Sequence, residues 1–185
     1  MRWQVKTLLV ISIATMLVAM VMVINPRPAH AWGGQEQVPL DFLTGGGWIV
    51  RDSGAKANFG VEGGVKNGAW WGGVNYIDHG TGLHVQGRDV TAYIFIDDRT
   101  RDICGHAGSD QFGDVAFHVR ATDNGEPGRD DLFIIRIGKG GAVVYTTEGD
   151  RDHSLGGAGS GGGNIQLHKG NNSNTAPSTP PVCEI

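Results

Sequence analysis

Between residues 115 and 123 the chain alternates. Val115, Phe117, Val119 and Ala121 share one side, and Ala116, His118, Arg120 and Thr122 share the other. A period of two predicts a strand with one buried and one wet face, and it puts His118 on the wet side. Residues 90–96 are apolar on both sides, with Tyr93 and Phe95 against Ala92, Ile94 and Ile96, which predicts a central strand covered on both faces. Residues 132–137 read similarly, with Arg136 as the charged exit. Weaker alternation at 48–51, 57–62, 71–77, 83–86, 103–107, 142–146 and 164–168 brings the expectation to about ten short strands. The 31 glycines fall between and within these segments and break any helical period beyond the first residues. The predicted fold is all-β, an antiparallel β-sandwich with Greek-key-like connections.

The N-terminus differs in kind. Arg2 and Lys6 precede an apolar run over 7–24, Asn25 and Pro26 end it, and Ala29-His30-Ala31 offers the small-x-small pattern of a cleavage site. This is the layout of a signal peptide spanning 1–31, whose removal leaves Trp32 first. An uncleaved anchor is the alternative, because eighteen apolar residues is the lower limit for crossing a bilayer. No Cys stands at the cut, which argues against a lipoprotein. The remainder divides into an N-terminal extension (32–43), one β-domain (44–169) and an Asn/Ser/Thr/Pro-rich tail (170–185).

Without Arg2, Lys6 and Arg27 the chain keeps 12 basic residues against 19 acids, a net charge of about −7. That disfavours nucleic acid and anionic lipid as partners. The expected location is extracellular, periplasmic or cell-envelope, with no stable membrane insertion after cleavage. Two cysteines, Cys104 and Cys183, are expected to form a disulfide that ties the tail to the body. Closing so long a loop contributes about 4 kcal/mol in the chain-entropy model. The plainer alternative is a buried Cys104 and a free Cys183.

The acidic loop at 123–131 follows the clearest strand. Asp123, Asn124, Glu126, Asp130 and Asp131 supply the hard oxygen ligands that calcium prefers, around Asn-Gly and Pro-Gly turns. The spacing is not that of an EF-hand, and a solvated turn is the bland reading. Asp97, Asp98, Asp102, Asp150 and Asp152 stand just beyond other strand ends. Trp48, Trp70 and Trp71, with Tyr76, form a candidate aromatic platform for a sugar ring, against the ordinary reading of core aromatics. Trp70 and Trp71 are adjacent and must face opposite sides of a strand. The histidines are scattered, without the paired spacing of a zinc or copper site. Ser160 lacks a hydrolase elbow, since Ala158 stands where the first glycine belongs. Gly157, Gly159 and Gly162 match G-x-G-x-x-G, but a strand follows where a dinucleotide site needs a helix. Asn171-Asn172-Ser173 matches a glycosylation acceptor.

Five separated segments together resemble the post-COAP-1 domain, a module of bacterial secreted proteins without an established function. They are Thr44-Gly45-Gly46-Gly47-Trp48-Ile49, Ala57-Asn58-Phe59-Gly60, Tyr76-Ile77-Asp78-His79, Asp123-Asn124-Gly125-Glu126-Pro127-Gly128 with Asp131 and Phe133, and Gly162-Gly163-Asn164-Ile165-Gln166-Leu167-His168. The resemblance implies an extracellular β-sandwich-like module and no catalytic residues. Cys104 and Cys183 depart from it.

The function expected from all this is non-enzymatic. An exported module binds an extracellular glycan or envelope protein, or contributes to a surface assembly, with calcium as the one cofactor considered. Two alternatives stand beside it. One is a glycan-active enzyme using Glu126 with Asp98 or Asp131 as acid and base. The other is a subunit that completes a neighbour's sheet with its extended segment 32–42.

Overall fold

The structure, a computed structural model, describes residues 38–185 apart from 159, 172 and 173. The expected signal peptide, most of the segment 32–42 and the Asn172-Ser173 part of the acceptor site lie outside the described residues, as does the middle glycine of the G-x-G-x-x-G match. The described chain contains ten strands and no helix: β1 (Phe42–Val50), β2 (Lys56–Lys66), β3 (Ala69–Asp78), β4 (Leu83–Gly87), β5 (Ala92–Phe95), β6 (Thr100–Ser109), β7 (Gly113–Thr122), β8 (Leu132–Lys139), β9 (Ala142–Thr146) and β10 (Gly163–His168). Each of the ten falls on a segment expected from the sequence. β1 starts two residues earlier than the expected domain boundary, because Phe42 and Leu43 pair on both sides, with β2 and with β10.

All pairings are antiparallel, and the strands form one sheet in the order β10-β1-β2-β3-β4-β6-β7-β8-β9, with β5 paired to β6. Most neighbours are hairpins, which adjacent antiparallel strands make cheaply. β10 instead returns from the far end to lie beside β1, so that β10-β1-β2-β3 has the spatial order of a Greek key.

The sheet folds over, and the two layers of the sandwich are its two halves. Phe59 on β2 stacks on Phe133 of β8 with ring centroids 3.9 Å apart, and Tyr76 on β3 reaches Phe133 and Tyr145 of β9. Between the halves lie Leu43, Ile49, Val61, Phe117, Ile135 and Ile137, none more than 5% exposed. Each such side chain contributes about 1.5–3 kcal/mol through burial. The segment 153–156 bridges β8 to β1: Phe133 N donates to His153 O (3.1 Å), Leu155 N to Asp131 O (3.1 Å) and Gly156 N to Trp48 O (2.8 Å).

Two expectations are corrected. Residues 90–96 do not form a central strand. Among the described residues β5 pairs with β6 alone and shares that edge of β6 with β4. It is apolar on both sides because Tyr93 enters the core and Ala92, opposite Cys104, is buried as well. His118 is not wet but fully buried. What covers that face is the C-terminal tail. Asn174 Nδ2 donates to Val65 O (2.9 Å), Val182 N to Thr91 O (3.2 Å), Glu184 meets His106 (3.3 Å), and Cys183 is disulfide-bonded to Cys104 with Cα atoms 5.3 Å apart. The Ile185 side chain then lies over Gly138.

Candidate functional site

The outer face of β10-β1-β2-β3-β4 carries an open groove of about 660 Å³. Its walls follow from strand register. One cross-strand row reads Asn164, Gly46, Gly60, Asn75, Gln86, and the next reads Gln166, Thr44, Glu62, Gly73. Beyond these rows the character changes from polar to aromatic. On one side His168, Phe42, Gly64 and Trp71 form a row, in which Phe42 stacks on His168 (4.4 Å) and tilts toward Trp71 (6.0 Å). On the other side stands Trp48, with the Lys56 ammonium 3.9 Å from its ring centroid. Phe42 and Trp48 are six residues apart on β1, which places the two aromatic ends roughly 20 Å apart.

The floor of this groove is bare. Glycine within a strand costs about 0.5–1 kcal/mol relative to alanine, so a strand glycine calls for a reason. Many glycines here have one: a Cβ at Gly47, for example, would meet the backbone of residues 162–163. Gly60 and Gly73 have none of that kind. A Cβ at either meets nothing within 4 Å, and neither has a positive φ. Neither packing nor backbone conformation accounts for them, and what they leave is space for something laid across β2 and β3.

The groove offers acceptors and donors in Glu62, Asn75, Gln86 and Gln166, all exposed, and no Lys or Arg among its lining residues. Asn75 is held by His84 (Oδ1 to Nε2, 3.0 Å), and Asn164 by Glu126 (Nδ2 to Oε1, 3.0 Å). Thr44 is fixed through its hydroxyl by His168 (2.8 Å).

The aromatic residues singled out in the sequence part company. Trp71 faces outward in the groove's aromatic row, while Trp70, opposite Val65, packs against the core, and Tyr76 has no exposed surface. The signal for the rest of the groove was present in the sequence as polar residues and glycines at alternate positions of β2 (Lys56, Asn58, Gly60, Glu62, Gly64), where the pattern marked only a weak strand over 57–62.

The acidic loop is knitted to β10. Asp123 Oδ2 accepts from Leu167 N (2.8 Å) and its Oδ1 from Gly125 N (2.9 Å). Asp131 accepts from Asn124 N (2.8 Å) and Ile165 N (2.7 Å), Asn124 Nδ2 donates to Asp130 O (2.7 Å), and Glu126 holds Asn164. Asp131 is fully buried, and that burial, with Asp123 and Glu126 nearby, pushes its carboxyl above the usual range despite two amide donors. No three of the loop's carboxylates bring ligand oxygens within 4.8 Å of one another. Asp98 shares a shallow hollow with Asp123, Asn124 and Gly125, so these loops do lie at one end of the fold. Asp130 is exposed, 4.0 Å from Arg129.

Two further charged clusters, neither foreseen in the sequence, are largely buried. Arg51 joins Asp78 (2.9 Å), Asp150 and the Tyr145 hydroxyl, and Tyr145 in turn donates to Asp78 (2.8 Å) and touches the Tyr76 hydroxyl (2.5 Å). Burial pushes Tyr76 up to about 12. The cluster ties together the ends of β1, β3 and β9. Arg101, 3% exposed, pairs with Asp41 (2.5 Å), which also accepts from the Tyr93 hydroxyl (2.9 Å). The hydrogen bonds in these clusters join groups from separate strand ends, which suits closure of the fold.

No family model matches this chain, and no curated protein or solved structure does either.

Proposed function

We propose that the chain is an exported, non-catalytic glycan-binding module whose ligand is a neutral polysaccharide strand lying in the groove across β10, β1, β2 and β3. The observation that carries this reading is the pair Gly60 and Gly73, which cost strand stability and leave a flat trough between aromatic ends. A sugar chain suits such a trough. Its C–H faces pack on rings such as Trp71 and Trp48, and its hydroxyls exchange hydrogen bonds with amides and a carboxylate. Glu62, the one charged residue of the lining, disfavours an acidic polymer, and the Lys56 ammonium at the Trp48 end is held against that ring. Export is supported by the signal-peptide pattern and by the disulfide, which is compatible with an oxidising compartment. The five segments that resemble the post-COAP-1 module fall on β1, β2, β3, the 123–133 region and β10, so they belong largely to the half that carries the groove.

The test is to fill the trough without disturbing the fold. Gly60→Val and Gly73→Val should keep or slightly raise the melting temperature, since each Cβ enters open space and the strand gains a β-branched residue. Both should abolish retention of the neutral polysaccharide identified on a glycan array. Trp71→Ala should weaken binding roughly tenfold, the effect of losing about 1.4 kcal/mol. Undiminished binding by both valine variants, or a wild-type chain that retains no neutral glycan, would refute the reading.

A further inference from the structure

We propose a second site on the opposite half of the sheet, for a zinc-class metal ion, formed by Cys104, Cys183 and His118 when the disulfide is reduced. His118 on β7 lies directly opposite Cys104 on β6, and the tail brings Cys183 onto the same spot. One ring nitrogen of His118 and the two sulfurs lie within 4.8 Å of one another, with His118 and Cys104 buried. In a tetrahedral zinc site, with Zn–S about 2.3 Å and Zn–N about 2.0–2.1 Å, ligand atoms stand roughly 3.5–3.8 Å apart. Reduction frees the two bonded sulfurs to separate to that spacing, and the His118 nitrogen closes by at most about 1 Å, with no change of fold.

The surroundings match a metal ligand's needs. His118 Nε2 is 3.0 Å from Asp102 Oδ2, and Asp102 is gripped by Arg120 through Nε (2.7 Å) and Nη2 (2.8 Å). A carboxylate against one imidazole nitrogen fixes the ring's orientation, as it does for metal-binding histidines. Asp102 already has a two-pronged arginine partner, so its charge does not call for an imidazole as well. A covered face beside a disulfide would be filled as well by an apolar side chain.

Charge also balances. Asp102 and Arg120 cancel, and two thiolates neutralise a divalent ion beside a neutral imidazole. The three protein ligands make a Cys₂His set, with the fourth position open to a small exogenous ligand. Reduction by a dithiol transfers two electrons and two protons to the disulfide, giving two thiols and an oxidised dithiol. Zinc then displaces both thiol protons to form two Zn–S bonds. In either state the tail stays fastened over β6 and β7, by a covalent bond or by the metal.

The test uses the purified chain, reduced under anaerobic conditions or left oxidised, titrated with zinc against a chromophoric chelator. The reduced chain should take up one equivalent and the oxidised chain none. Cobalt in place of zinc should show thiolate charge-transfer absorption and intense tetrahedral ligand-field bands. Asp102→Asn should weaken uptake roughly 10- to 100-fold. His118→Ala should remove it, and Cys183→Ala, compared with the reduced wild-type chain that equally lacks the disulfide, should do the same. Failure of the reduced chain to take up zinc, or wild-type affinity in Cys183→Ala, would overturn the proposal.

Discussion

Asp131 is buried without exposed surface and yet holds two backbone amides from different parts of the chain, Asn124 in its own loop and Ile165 on β10. Asparagine has the same size but only one acceptor oxygen, so Asp131→Asn would set an amide NH₂ against a backbone N–H. The substitution should cost about 1–3 kcal/mol, read as a lower urea midpoint at unchanged slope. Tyr145→Phe belongs to the same class: it removes the hydroxyl between Arg51 and Asp78, and a loss of similar size is expected in the same measurement. At this scale the sequence was least legible. The carboxylates of 123–131 have the composition of cation ligands, but what they bind is set by β10, which lies some forty residues away in the chain and beside them only in the fold. Arg51 and Asp78, or Asp41 and Arg101, are unremarkable as single charged residues, because ion pairs between distant strand ends leave no local pattern. His118 follows the polar side of its strand faithfully. Its burial comes from a tail that no alternation in β7 can announce.

At the scale of elements, the segments between glycines marked every strand, most of them by period-two alternation, because a strand with one face on the core carries that rhythm locally. Neighbour relations were less accessible. Residues 90–96 have the composition of a central strand because both sides are covered, but one cover is the tail rather than another sheet. The groove was half visible. Its polar and glycine positions on β2 were evident, while the row that joins them to Asn164 and Gln166 exists only through the β10-β1 pairing. The tail itself is the element most open to test. Its disulfide closes a loop of 79 residues, and the chain-entropy model assigns such a closure about 4 kcal/mol. Cys183→Ala should therefore lower stability by up to about that amount. It should also make the tail the first site of limited proteolysis, because the remaining contacts to Val65, Thr91 and His106 are few and partly exposed.

For the molecule as a whole, the balance of titrating groups predicts a stability maximum in mildly acidic solution. Burial would raise the carboxyls of Asp78 and Asp102, but hydrogen bonds outweigh it. Donation from Tyr145 and Gly80 N holds Asp78 below the usual range, and donation from Arg120 and His118 does the same for Asp102. An acid with a depressed folded pKa contributes stability that is complete above its unfolded value, 3.8, and lost as pH falls through the folded value. Asp131 runs the other way. Burial raises it, so the folded chain holds that proton more tightly, and stability declines as pH rises from 3.8 through its folded value. His106 adds a decline on the alkaline side. Asp89, then Glu184 of the tail, raises it above 6.5, so its contribution is full below 6.5 and lost as pH rises through the folded value. The group is largely solvated, which limits this loss to about 0–1 kcal/mol. Melting temperatures measured between about pH 3 and pH 9 should therefore fall steeply at the acid end and gently above neutrality. Asp102→Asn should flatten the acid limb, and His106→Asn should flatten the alkaline one while leaving the acid limb unchanged. An alkaline decline that survives in His106→Asn would mean that a group other than His106 carries it.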